Sequence, residues 1–259
     1  MARSSIAVTT RANPSSADVA EAEAAARRWA VPFLGRPRTG PLSSLLASAE
    51  TLLVVERRGV SLWDVEGSAR WSYGLAALRL QALDAGGQGE ALVRVGALSP
   101  GERVLDCTLG LAQDARVAAR LVGPQGAVVG LETSLPLAML AAEGLGREPP
   151  EPRSAAIHVR HADARTFLES LSPGSFDVLL FDPMFSRERA AQPAFTLLRR
   201  LASRAPLEPA TLALARRVAR RVVLVKAPRY GGELKALGLK PEPSSRSAPV
   251  VWARVEPRP

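Results

Sequence analysis

Beyond Pro100-Gly101 the apolar positions gather into short runs at 103–107, 127–132, 156–160, 176–181 and 221–226, and stretches of helical periodicity separate them. Strands alternating with helices of this length predict βαβ units, and therefore a parallel sheet with right-handed crossovers. Residues 222–225, Val-Val-Leu-Val, are apolar at every position, as in a strand covered on both faces. A last run at 249–255 predicts an edge strand, and the proline-broken stretches 146–152 and 241–247 predict loops. The pattern is that of an α/β fold with a Rossmann-like, doubly wound sheet.

The N-terminal third reads differently. Residues 16–29 follow capping residues and consist of good helix formers, which predicts a first helix. After the proline- and glycine-spaced 31–41 come a short segment at 42–49, an apolar run at 51–56, a turn signal at Arg57-Arg58-Gly59, and strand-like alternation over 60–64. This predicts a small α/β subdomain. The glycine-rich stretch 84–90 is a linker or a backbone-lined loop, followed by a short helix at 91–98. The expected division is an N-terminal subdomain over 1–83 and a catalytic domain over 84–259.

Composition narrows the class. With 47% hydrophobic residues among 259, the chain can bury a core, yet no run reaches the roughly 18–20 apolar residues of a membrane span. Residues 1–10 lack a signal-peptide pattern, and the single cysteine, Cys107, permits neither a disulfide framework nor a cysteine-based zinc site. A cytoplasmic protein without membrane or metal partners is expected. Lys plus Arg exceed Asp plus Glu by 34 to 25, a net charge of +9 that favours phosphate-rich partners. The excess is nearly all arginine and spread along the chain, so an ordinary solvated surface stays open beside nucleic-acid binding.

In a doubly wound sheet, ligands bind outside the carboxyl ends of the strands, where the strand order reverses. The informative residues follow the apolar runs there. The first run ends Val104-Leu105-Asp106 and leads to Gly110 and then to Gln113 and Asp114; the second ends at Glu132; the third leads to Asp163; the fourth ends Phe181-Asp182-Pro183-Met184-Phe185. For S-adenosylmethionine each has a task. Gly110 lets the backbone approach, Asp106 brings negative charge near the cationic methionine portion, Glu132 accepts from the ribose hydroxyls, and Asp163 meets the adenine amino group. Taken singly, an acid at a strand end is also an ordinary helix cap.

Asp182-Pro183-Met184-Phe185 resembles the Asp/Asn-Pro-Pro-Tyr/Phe motif of methyltransferases that act on exocyclic amines of bases. Such an amine is a poor nucleophile and must be held close to the methyl and in line with the sulfonium. The Asp182 carboxylate or the Pro183 carbonyl accepts an amino hydrogen, while Phe185 stacks on the base. Those three are the expected catalytic residues, with Met184, Phe185 and Lys226 against the substrate.

More widely, the chain resembles the small-subunit ribosomal RNA guanine-N2 methyltransferases (RsmJ/YhiQ-like) and, in its N-terminal region, their YpiP-type relatives. The resemblance rests on Gly86-Gly87-Gln88-Gly89-Glu90, on Leu105 through Asp114, on Asp182-Pro183-Met184-Phe185, and on Val225-Lys226-Ala227-Pro228-Arg229-Tyr230. It implies cofactor contacts at Gln113, Asp114, Glu132, Thr133, Asp163, Ala164 and Asp182, S-adenosylmethionine as cofactor, and small-subunit rRNA or a ribosomal particle as partner. Ala112 stands where these enzymes usually have glycine, and Gln113 and Thr133 where they commonly have arginine.

Other readings fare less well. A nicotinamide dehydrogenase needs Gly-x-Gly-x-x-Gly, of which Gly110-Leu111-Ala112-Gln113-Asp114-Ala115 keeps only the first glycine. A methyltransferase for a small molecule or protein, and a non-catalytic RNA binder on the same scaffold, remain alternatives. Cys107 is read as buried packing, and His158 and His161 as structural. Lys226 is either a substrate contact or a solvated strand-end lysine. Arg199-Arg200, Arg216-Arg217 and Arg220-Arg221 are placed in or beside a helical insertion before the fifth strand, as RNA contacts or solvated faces.

Overall fold

The computed structural model describes residues 4–37, 39–57, 59–72, 74–87, 90–149, 151–183 and 193–258. In chain order the first elements are β1 (Ser4–Thr10), α1 (Ser16–Trp29), a 3-10 turn (Leu42–Ala47), β2 (Ala49–Glu56), β3 (Gly59–Trp63), β4 (Ser68–Arg70), α2 (Gly74–Asp84) and α3 (Ala91–Arg94). Then follow β5 (Arg103–Asp106), α4 (Gln113–Val122), β6 (Ala127–Glu132), α5 (Leu135–Leu145), β7 (Ile157–His161), α6 (Ala164–Glu169) and β8 (Phe176–Phe181). The last are α7 (Pro193–Leu201), α8 (Pro209–Val218), β9 (Ala219–Pro228), α9 (Glu233–Ala236) and β10 (Val250–Val255).

These elements form two compact units, the first made of Met1–Ser72, Ser134–Pro149 and Ala190–Ala202 and the second of the rest. In the first, β1 to β4 lie side by side in chain order, β1 parallel to β2 and the others antiparallel. Helix α1 starts at a reciprocal capping box: Asp18 N–H donates to Ser15 Oγ (3.2 Å), and Ser15 N–H donates to Asp18 Oδ2 (2.8 Å). Helix α5 packs on β2 and β3 of the same unit. It carries Gly144 where a Cβ would fall 2.3 Å from the Trp71 indole, so only glycine admits the ring. The neighbouring Glu143, 5% exposed, accepts from Trp29 Nε1 (3.0 Å) and Arg147 Nη1 (2.9 Å) and pairs with Arg28.

In the second unit six strands run β10-β9-β8-β5-β6-β7, all parallel except β10, which pairs antiparallel to β9. The expected doubly wound sheet is thus present, and its order reverses between β5 and β8. Leu105, Leu131, Leu179, Phe181, Val223 and Val225 form the core on one face with Leu168, Leu212 and Val218 from the helices. Residues 222–225 are buried at every position, as a strand covered on both faces requires. Among the described residues no helix is long and apolar enough to cross a membrane.

Strand β1 was not legible in the sequence; it is buried from Ile6 to Thr10 because it adds in parallel to β2. Arg220 and Arg221 lie beside the helical insertion, within β9, which begins two residues before the expected 221. Arg221 makes a bidentate pair with Glu102 (2.6 and 2.9 Å), and Arg220 pairs with Asp177 (2.7 Å). Both acids stand at the amino ends of strands, so these arginines close the sheet at the edge opposite to ligand-binding loops.

Candidate active site

The order reversal leaves β5 and β8 adjacent, with Asp106 opposite Leu180, so the chain leaving each strand opens on one crevice. Thr108 ties the two exits together. Its N–H donates to Asp106 Oδ1 (3.0 Å), and its Oγ1 accepts from Asp182 N–H (2.6 Å). On the other side, Leu109 N–H reaches Leu131 O of β6 (2.8 Å). That approach needs Gly130, where a Cβ would stand 2.4 Å from the Leu109 side chain. The turn continues through Gly110 at φ +51°, whose N–H donates to Glu132 Oε2 (3.0 Å), and then through Ala112 at φ +55°. A left-handed alanine costs about 1 kcal/mol relative to glycine.

Behind this turn lies a network of ions. Lys226, leaving the carboxyl half of β9, places Nζ 3.0 Å from Asp114 Oδ2 and 2.6 Å from Asp182 Oδ2, and 5.4 Å from the Trp252 ring centroid. Arg79 of α2 donates to Asp114 Oδ1 (2.6 Å) and grips Glu90 with two bonds (2.7 and 2.9 Å). Gln113 accepts from Ala76 N–H (2.6 Å), fixing the start of α2.

The charges sort the carboxylates. Burial pushes Asp114 up, but Lys226 and Arg79 overcome it and hold the group below the usual carboxylate range. Burial, and then the charge of Asp114, lift Asp182 to about 6 against the pull of Lys226. Asp106, 2% exposed, has no cation in direct contact among the described residues; burial and Asp114 raise it to about 8. Burial lifts the Cys107 thiol well above its ordinary value, and the side chain packs in the core, as expected for a non-nucleophilic cysteine.

Asp106 supplies a stability prediction. Its folded pKa lies above the unfolded one, so the folded chain keeps a proton that the unfolded chain has lost. The resulting destabilisation therefore grows as pH rises from about 4 to about 8. Asp106→Asn keeps an acceptor for Thr108 and removes the ionisation. Thermal melts should show the variant gaining roughly 2–5 kcal/mol over the parent at pH 8.5 and much less at pH 5. An equal shift at both pH values would contradict this.

The structure thus brings Asp106, Gly110, Gln113, Asp114, Glu132, Asp182 and Lys226 to one rim of the second unit. Pro183 follows, half-buried. Asp163 caps α6 by accepting from Thr166 N–H (3.0 Å), Ala164 is the first residue of that helix, and Thr133 offers its carbonyl to His161 Nε2 (3.0 Å). Met184 and Phe185 lie outside the described residues. Among the described residues no cluster of His, Cys, Asp and Glu suits a metal. Thr108, Arg79 and Glu90 were not singled out as site residues from sequence. Thr108, two places after a strand-end acid, carried a local signal; Arg79 carried none.

The rim is rich in carboxyl groups. Asp106 is a buried carboxyl beside other acids with no cation of its own in contact among the described residues, and Glu132 stands at the end of β6 within the turn's reach.

A family model for SAM-dependent methyltransferases matches residues 45–247. The chain is 32% identical over 225 residues to the uncharacterised protein YpiP of Bacillus subtilis, covering 85% of this chain and 87% of that one. It is 30% identical to the ribosomal RNA small subunit methyltransferase J of Coxiella burnetii, covering 84% of this chain and 85% of that one. The crystal structure of the SAM-dependent methyltransferase NGO1261 from Neisseria gonorrhoeae shares the fold, with a TM-score of 0.66 at 21% identity over 97% of this chain and 96% of that one.

Proposed function

Because the chain belongs to the SAM-dependent methyltransferase family, we propose that it transfers the methyl group of S-adenosylmethionine to an exocyclic amine of a base in RNA, guanine N2 of small-subunit rRNA foremost. The name of the Coxiella relative supports an rRNA target. The observation that carries the chemistry is Asp182, placed directly after β8, hydrogen-bonded to Thr108 through its own N–H and to Lys226 through its carboxylate.

When bound, the cofactor supplies an electrophilic methyl on a sulfonium. Glu132, oriented by Gly110 N–H, accepts from the ribose hydroxyls. Asp163 and Ala164 border the adenine, and the turn from Gly110 to Gln113 and Asp114, with Thr133, frames the rest. Asp106 gains the positive charge that its buried position lacks.

On the acceptor side, the Asp182 carboxylate and the Pro183 carbonyl hold the amine hydrogens, and Asp182 or solvent takes the proton that methylation releases. To Phe185 we assign stacking on the base and to Met184 a contact with the substrate. Lys226 keeps Asp182 aimed and sufficiently acidic to be ionised near neutrality, and stands close enough to meet the substrate. Neither a metal nor a covalent enzyme intermediate enters. We place the reaction in the cytoplasm, on naked rRNA or a ribosomal particle.

A pH profile follows. Asp182 acts as the anion, and in the free enzyme its pKa sits at about 6. The value of kcat/KM should therefore fall tenfold per pH unit below about 6. For kcat the limb should lie lower, because the sulfonium favours the anion. An acidic limb unchanged in Asp182→Asn would contradict this.

Incubation of the protein with labelled S-adenosylmethionine and extracts of total RNA and of protein tests the function. Label is expected in small-subunit rRNA, as N2-methylguanosine after digestion. Label confined to protein, or to a small molecule, would overturn the proposal.

A further inference from the structure

The first unit holds a cavity of about 510 Å³ whose wall includes Arg11, Arg36, Arg57, Arg70, Glu56 and Trp63. All six belong to residues 1–72, so the cavity is complete without the cofactor rim. Its volume lies within the roughly 300–1,000 Å³ of small-ligand sites.

The charges on the wall are only partly met. Glu56 takes a hydrogen bond from Ser61 Oγ (2.6 Å) and pairs with Arg70. Arg11 pairs with Asp18 (2.9 Å), while its Nε is buried with no hydrogen-bond partner. Arg36 and Arg57 have no acidic partner among the described residues. Beside them stands Trp63, 38% exposed, its indole N–H given to Ser61 Oγ (2.9 Å). The hydrogen-bond chain Trp63–Ser61–Glu56 fixes the ring at its edge, which leaves a ring face for stacking. A large aromatic held this way on a sheet surface, with unpaired guanidiniums around it, combines a platform for a flat ring with charge for an anion.

We propose that this cavity binds one nucleotide of the RNA substrate, its base against Trp63 and its phosphate between Arg36 and Arg57. An acidic peptide would satisfy the guanidiniums but not the exposed indole. The inference rests on the RNA reading above, and gives the N-terminal unit a grip on RNA independent of the reacting base.

Fluorescence anisotropy of a labelled single-stranded rRNA fragment, titrated at several salt concentrations, tests it. Arg36→Gln with Arg57→Gln should weaken binding about 10–100-fold and flatten the slope of log K against log salt by about 0.7, the loss of one neutralised phosphate. Trp63→Ala should weaken it about 5–100-fold with the salt slope unchanged, and Trp63→Phe should restore most of the loss. S-adenosylmethionine affinity, measured by calorimetry on the same preparations, should stay at the parental value and so report that the variants are folded. If the parent methylates rRNA while the variants bind RNA with parental affinity and slope, the cavity inference fails and the proposed function stands. If the parent neither binds nor methylates RNA, both fail.

Discussion

Asp182→Asn is expected to lower kcat for methyl transfer by about 10²–10⁴-fold, the usual range for removing a positioned proton acceptor. The amide preserves size and one acceptor oxygen, but it cannot take the amine proton. It also exchanges the 2.6 Å ionic contact with Lys226 for a neutral one. Lys226 retains Asp114 at 3.0 Å, so the network behind the turn holds and S-adenosylmethionine affinity should change far less than kcat. Single-turnover rates with saturating cofactor, set beside calorimetric affinities, separate the two effects. A kcat loss below tenfold would remove Asp182 from the chemistry.

Glu132→Ala is expected to weaken S-adenosylmethionine binding by at least about 100-fold, because hydrogen bonds to a charged acceptor contribute about 1.5–3 kcal/mol each and two ribose hydroxyls lose theirs. The substitution also takes away the acceptor of Gly110 N–H, and that hydrogen bond holds the turn against β6. Glu132→Gln keeps an acceptor for Gly110 and should lose less, roughly tenfold. Calorimetric titration measures both. Binding by the alanine variant within threefold of the parent would mean that the ribose lies elsewhere.

How much of this was legible in advance follows from the range of the interactions. The strands of the doubly wound sheet announce themselves by local apolar runs, and those of β5, β6 and β8 end at or beside Asp106, Glu132 and Asp182, so these three stood out together. What joins them did not. Lys226 meets Asp114 across 112 positions and Asp182 across 44, and Arg79 reaches Asp114 across 35. Only the strand order brings such pairs together, and neither periodicity nor motif encodes it. Strand β1 was missed for the same reason: Ser4 to Thr10 is short and only partly apolar, and becomes a strand by adding to β2 in parallel. The left-handed Ala112 is the converse case, since the departure from glycine was visible in sequence while its backbone reason needed the fold.

In the proposed reaction the carboxyl ends of β5, β6 and β8 together hold the methyl donor facing Asp182. A crystal structure of the protein with S-adenosylhomocysteine tests it most directly. The account predicts ribose hydroxyls on Glu132 and the sulfur turned toward Asp182; a ligand bound with its ribose away from Glu132, or its sulfur shielded from Asp182, would contradict it.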